Sequence, residues 1–262
     1  MRTAMRAMIR KDFRGIAGNH RLFSTLFIVP LVLTVLVPSV FQLVIHFMPE
    51  EAELSKFLDM LPISARLETP EATLSHMILN YVLPVFFLLI PIFSASIMAA
   101  SAFVGEKERH TLETLLYCPL TLRQIFQAKV LASFLLSMLV SLISFLAMIL
   151  TVETESLLLT RRLLLPSVSW LPVMLLLAPS LSLTAITLIV RGSARARSVE
   201  ESQQAAVFLI LPLLLLIVGQ LTGILLLNVW ILLGIGVVCA ALGLFLLGRC
   251  AGRFTFERLL QY

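Results

Sequence analysis

The chain has 262 residues, 59% hydrophobic and only 13% charged, against roughly 25% charged in a soluble domain. Its mean hydropathy of +1.01 excludes a soluble globular domain, which lacks the polar surface to cover so much apolar area, and makes lipid the natural solvent. The formal net charge of +5 fits nucleic-acid binding only until the positions of the bases are read; the three cysteines, Cys118, Cys239 and Cys250, form no CxxC and read as small buried hydrophobes rather than a disulfide framework.

The chain opens on a basic amphipathic stretch. Met5, Met8, Ile9, Phe13 and Ile16 recur at helical spacing, while Arg2, Arg6, Arg10 and Arg14 repeat every four residues on another face. Such a helix suits the membrane interface beside anionic headgroups, so residues 1–21 are expected to form a cytoplasmic interfacial helix.

Six apolar stretches follow, each near the 20 residues needed to cross a bilayer: Leu22–Phe47, Met77–Val104, Phe126–Val152, Trp170–Val190, Ala205–Leu227 and Trp230–Leu247. The first is too long for the apolar region of a secretory signal and no small-x-small site follows it. The last two are separated only by a turn around Asn228, so residues 205–247 form either two full spans or one span and a re-entrant hairpin.

The bases set the orientation. With the N-terminus in the cytoplasm, the inner segments hold Arg2, Arg6, Arg10, Lys11, Arg14, Arg21, Lys107, Arg109, Arg123, Lys129, Arg191, Arg195, Arg197, Arg249, Arg253 and Arg258. That is sixteen of the twenty; Lys56, Arg66, Arg161 and Arg162 stay outside. The bias predicts a multi-pass protein of the cell membrane with both termini in the cytoplasm, and it makes the positive charge a topology signal, not a nucleic-acid surface. The fold class is therefore all-α: an interfacial helix, a six-span domain over residues 22–248, and a cytoplasmic tail over 249–262.

Between the first two spans, about residues 48–76, lies an acidic outer loop broken by Pro49, Pro62 and Pro70. Prolines within the spans (Pro30, Pro38, Pro84, Pro91, Pro172, Pro179 and Pro212) each remove a backbone donor and predict bends. Ser133, Ser137, Ser141 and Ser144 share one face of the third span, fit either for close helix packing or for lining a translocation path. Gly219 and Gly223 make a GxxxG in the fifth span, Gly248 and Gly252 another at the end of the sixth, and Gly234, Gly236 and Gly243 extend the small-residue surface, all suited to close contacts between helices or subunits.

No Asp, Glu, Lys or Arg lies in the middle of a span, which argues against a proton-coupled carrier or a voltage sensor. No phosphate-binding GxxxxGK[ST], HExxH or GxSxG occurs, so no catalytic residues, metal site or cofactor are assigned to this chain. The energy for transport would then come from a partner. The charged segment from Gly105 to Lys129 is the candidate contact: Leu112, Leu115 and Leu116 form an apolar ridge beside Glu106, Glu108, Arg109 and Glu113, as in helices that dock into a partner's groove.

This run, G-E-K-E-R-x-T-L-E-x-L-L-x-x-P-x-x-x-x-x-I-x-x-x-K, resembles the signature after the second span of type 2 ABC transporter permeases. The resemblance covers essentially the whole chain and implies that about 106–117 is a coupling helix seated in a cleft of a separate ABC ATPase. The implied contact residues are Glu106, Arg109, Thr111, Leu112, Glu113, Leu115, Leu116 and Pro119, with Ile125 and Lys129 closing the motif. The second inner loop, with Arg195, Arg197, Ser198 and Glu201, resembles the family's connector before the fifth span, and Ser198-x-x-Glu201 is a capping-box pattern. His110 departs from the small residue usual there, and the short turn near Asn228 resembles compact bacterial permeases.

The family reading implies an ATP-driven exporter of an amphipathic or lipophilic substrate, such as a drug or peptide. Its partners would be two ATPase subunits carrying ATP and magnesium, a second permease copy or sister permease, and membrane lipid. A non-transport scaffold or sensor that docks a cytoplasmic partner through residues 105–129 is the alternative from another class.

Overall fold

The computed structural model describes residues 2–47, 69–108, 121–159, 161, 163–193, 196, 198–221 and 229–253. A first helix, α1 (Arg2–Ala17), is followed by six that are long and apolar enough to cross a membrane. These are α2 (Leu22–Phe47), α3 (Pro70–Glu106), α4 (Arg123–Leu159), α5 (Trp170–Ser193), α6 (Val199–Gln220) and α7 (Val229–Cys250). Because six spans alternate in direction, α1 lies at the same end of the bundle as the α3–α4 and α5–α6 connections, here the basic end.

Helix α3 is the axis of the bundle. It is buried along most of its length and packs chiefly on α4 and α5, while α7 packs on α5, and α2 on α4 and α3. Rings from three helices meet at its centre: Phe87 of α3, Phe145 of α4 and Trp170 of α5, with centroids 5.1–5.8 Å apart. Most of α2, α6 and α7 remains uncovered, with Phe208, Leu215, Trp230 and Phe245 each more than 60% exposed. Water would not tolerate so continuous an apolar surface, which fits a lipid-facing or subunit-facing rim.

Two separate helices, α6 and α7, occupy the stretch for which a re-entrant hairpin was an alternative, and each is long enough to span. Helix α7 continues to Arg253, so the expected tail from 249 begins as helix; residues 254–262 lie outside the described residues. The outer loop expected to reach His76 ends earlier. Thr69, in extended conformation, caps the helix that starts at Pro70, its hydroxyl accepting from Ala72 N. Pro70 starts this helix rather than breaking the chain, because its fixed φ and missing N–H suit a first helical position. Helix α4 likewise runs past the expected Val152 to Leu159. It carries Glu155, whose carboxylate accepts the Ser39 hydroxyl of α2.

Three of the span prolines share a local backbone form. Three π-turns, Val32–Leu36, Ile78–Val82 and Val173–Leu177, each end two residues before a proline: Pro38, Pro84 and Pro179. The proline ring crowds the carbonyl four residues back, and the helix widens so that the preceding N–H reaches back five. Thus Val37 N bonds Val32 O, Leu83 N bonds Ile78 O, and Ala178 N bonds Val173 O. The widening frees carbonyls, and a side chain captures one of them. The Trp170 indole donates to Leu79 O at 3.2 Å, while the Thr34 hydroxyl makes the ordinary back-bond to Pro30 O, four residues earlier, at 2.8 Å.

The glycine surface of α7 divides in two. A Cβ at Gly236 would lie 2.6 Å from Leu176 Cδ2 and 2.8 Å from its Cγ, and one at Gly243 would lie 3.0 Å from Thr184 Oγ1; Gly234 and Gly248 face open space. The first two let α7 seat on α5. Gly236→Ala should therefore lower stability by about 1–3 kcal/mol through overpacking, read as an earlier unfolding midpoint in detergent. Gly234→Ala should be neutral or slightly stabilising.

Candidate functional site

The basic end of the bundle holds a knot of charge built from three helices. Glu106 closes α3, Lys129 lies two turns into α4, and Lys11 and Asp12 come from α1. The Lys129 ammonium, only 3% exposed, donates to the Glu106 carboxylate and to the carbonyl of Ala102. It also lies 5.4 Å from the centroid of the Phe103 ring. Lys11 Nζ reaches the other Glu106 oxygen at 3.0 Å from the solvent side. One buried carboxylate is thus shared by a buried and an exposed ammonium, which joins α1, α3 and α4.

Asp12 stands beside this group without a hydrogen-bond partner among the described residues for its buried Oδ2. Burial pushes its carboxyl above the ordinary aspartate range; the Lys129 ammonium pulls it back down, and the Glu106 carboxylate adds to the rise.

The local sequence explains the placement. Gly18 ends α1, its N–H bonding Arg14 O at 2.9 Å, and Asn19 Oδ1 accepts from Leu22 N as α2 begins. That break folds α1 back along α4. Small residues at Ala102, Gly105, Ala132 and Ser133 leave room for the charged groups to approach. Close by, the opening turn of α6 packs on the end of α3, and Gly105 faces Val199 at contact distance. Ser198 caps that turn, its hydroxyl accepting from Glu201 N at 3.1 Å, as the capping pattern predicts.

Of the residues expected to contact the ATPase, Glu106 is in the knot; Arg109, Thr111, Leu112, Glu113, Leu115, Leu116 and Pro119 lie outside the described residues. So do Arg195 and Arg197 of the second inner loop. Residues 106–108, expected to begin a separate coupling helix, continue the helix Leu89–Glu108. Glu106 and Lys129 are thereby brought together from the two ends of the motif, 23 residues apart in sequence.

All four serines of the α4 face are buried. Ser137 donates to Pro91 O at 3.0 Å and lies 3.1 Å from the Ser182 hydroxyl, tying α4 to α3 and α5; Ser141 donates within its own helix. Ser133 Oγ has no partner among the described residues. Gly219 is half-buried in α6, and Gly223 lies outside the described residues.

Sequence reasoning counted Lys129 with the inner bases as the end of the docking motif, gave Lys11 only a part in the topology and gave Asp12 none. Lys129 is instead a buried side chain of α4, set by its pairing and not by its local hydropathy. A signal for Asp12 was present: it is the one acid in a helix of bases.

A six-span helical bundle with a charged knot at its basic end defines a polytopic membrane subunit with no phosphate loop of its own. The ABC-2 family transporter protein model matches residues 6–230, and the chain belongs to that family. It is a permease subunit of an ABC transporter, a system whose ATPase is a partner. No curated protein and no solved structure matches the chain.

Proposed function

We propose that the chain is the membrane half of an ATP-driven exporter. It moves an amphipathic or lipophilic substrate outward across the cell membrane by alternating access, as a dimer with itself or a sister permease. Two ATPase subunits, holding ATP and magnesium, dock on the cytoplasmic side against residues 106–117 and the loop before α6. Closure of the ATPases pushes this segment, and the proline-bent helices rearrange around α3.

The observation that carries this reading is the Lys129–Glu106–Lys11 group, in which Lys129 and Glu106 are buried. It fastens both ends of the 106–129 segment to the central helix and to α1, so a push on that segment reaches the core instead of bending a loose connector. The opening turn of α6 packs at the same place, which supports a shared docking face.

The reading requires the basic end to face the cytoplasm. Single cysteines at positions 50–68 should react with an impermeant thiol reagent added to intact cells, and cysteines at 109–120 should react only after permeabilisation. The reverse pattern would invert the topology and remove the proposed ATPase face.

A further inference from the structure

A cavity of about 180 Å³ opens between α1 and the facing sides of α3 and α4, walled by Asp12, Gly15, Ser101, Gly105, Glu106 and Ser133 and edged by Lys11. Gly15 and Gly105 stand in its wall, and a Cβ at Gly15 would meet nothing within 4 Å. Two of its polar atoms are buried and unpartnered among the described residues, Asp12 Oδ2 and Ser133 Oγ, and Ser133 is 0% exposed. Buried polar atoms are rarely left so, and this pair marks an unmet demand.

The chemistry of the demand is specific. Glu106 is already bonded to Lys129 and Lys11, and the Lys129 ammonium is directed at Glu106 and Ala102 O. What remains is an acceptor carboxylate beside a hydroxyl, calling for a positively charged donor. A divalent cation wants about six or more oxygens, which this wall does not supply. A primary ammonium brings three N–H donors, and the space exceeds a cavity of about 150 Å³ that holds benzene. We propose that this cavity binds a primary ammonium group, held by Asp12 Oδ2 and Ser133 Oγ. Such a group comes either from the ethanolamine headgroup of a lipid or from a small soluble amine. For the lipid, exposed Arg10 and Arg14 of the same helix offer partners for the phosphate.

The test uses the full chain in phosphatidylcholine nanodiscs, with phosphatidylethanolamine added to one set and ethanolammonium chloride titrated into another. Choline chloride is the control, and the thermal unfolding midpoint is the readout. The expected result is a rise with phosphatidylethanolamine or with ethanolammonium and none with choline. Asp12→Asn and Ser133→Ala should each raise the half-saturating concentration about tenfold or more. Ser133→Ala preserves volume and guards against misfolding of Asp12→Asn. A response to the lipid alone assigns the headgroup, and one to ethanolammonium in phosphatidylcholine discs assigns a soluble amine. No rise with either, or full rises in both variants, overturns the site. No transport is measured, so failure here is separate from failure of the exporter reading.

Discussion

Lys129→Met should destabilise the isolated permease by about 3–5 kcal/mol, because it removes the buried ammonium that answers the Glu106 carboxylate. Lys129 is 3% exposed and Glu106 9%, so water compensates little. Glu106→Gln alone should cost a comparable amount, since it strands a buried ammonium. The double variant Glu106→Gln with Lys129→Met removes both charges and should recover most of the loss, as buried pairs replaced together often do. Lys11→Met, by contrast, should cost under about 1 kcal/mol, its side chain being 60% exposed and solvent-screened. Denaturant unfolding in detergent, run on the four proteins, reads the cycle. A double variant whose loss equals the sum of the two single losses would show that the charges act separately and that no coupled knot exists.

Glu113→Arg or Leu116→Arg should leave the permease folded and abolish its stimulation of ATP hydrolysis by the partner. Both positions fall within the motif and outside the described residues, so the expectation rests on the sequence: a ridge of Leu112, Leu115 and Leu116 beside Glu113. A charge placed in an apolar docking ridge is desolvated without a partner, and reversing an acid in a contact sets like against like where the partner is basic. The effect should be on turnover of the complex, not on the amount of permease in the membrane. Unchanged hydrolysis by a complex carrying either variant would place the contact elsewhere.

The contrast between these two predictions shows what the sequence carried. Hydropathy located six spans because a bilayer imposes a length and a polarity on every crossing helix, and the first apolar stretch lies within one helical run of the described residues. Ends were less legible, because they answer to capping. Pro70 reads as a loop breaker until Thr69 is seen to cap the helix it begins, and α4 keeps helical residues past Val152 because Glu155 finds Ser39 across the bundle. The knot was partly legible. Glu106 and Lys129 were both in the motif, but a motif is a line and their pairing is a contact across two helices. Nothing in the 3.6-residue period of α1 distinguishes Lys11 from the arginines that face solvent. A disturbed helix at Pro38, Pro84 and Pro179 was legible, while their common π-turn follows from backbone hydrogen bonding that composition does not display.

We propose that a separate ATPase drives this bundle through residues 106–117. A photo-cross-linker attached to a cysteine at position 113, in membranes expressing the permease with its ATPase, measures that contact directly. The account predicts a covalent permease–ATPase adduct whose yield changes between nucleotide-free and ATP-bound conditions, and no adduct from a cysteine at position 55 in the outer loop. An adduct from position 55 and none from position 113 would contradict it.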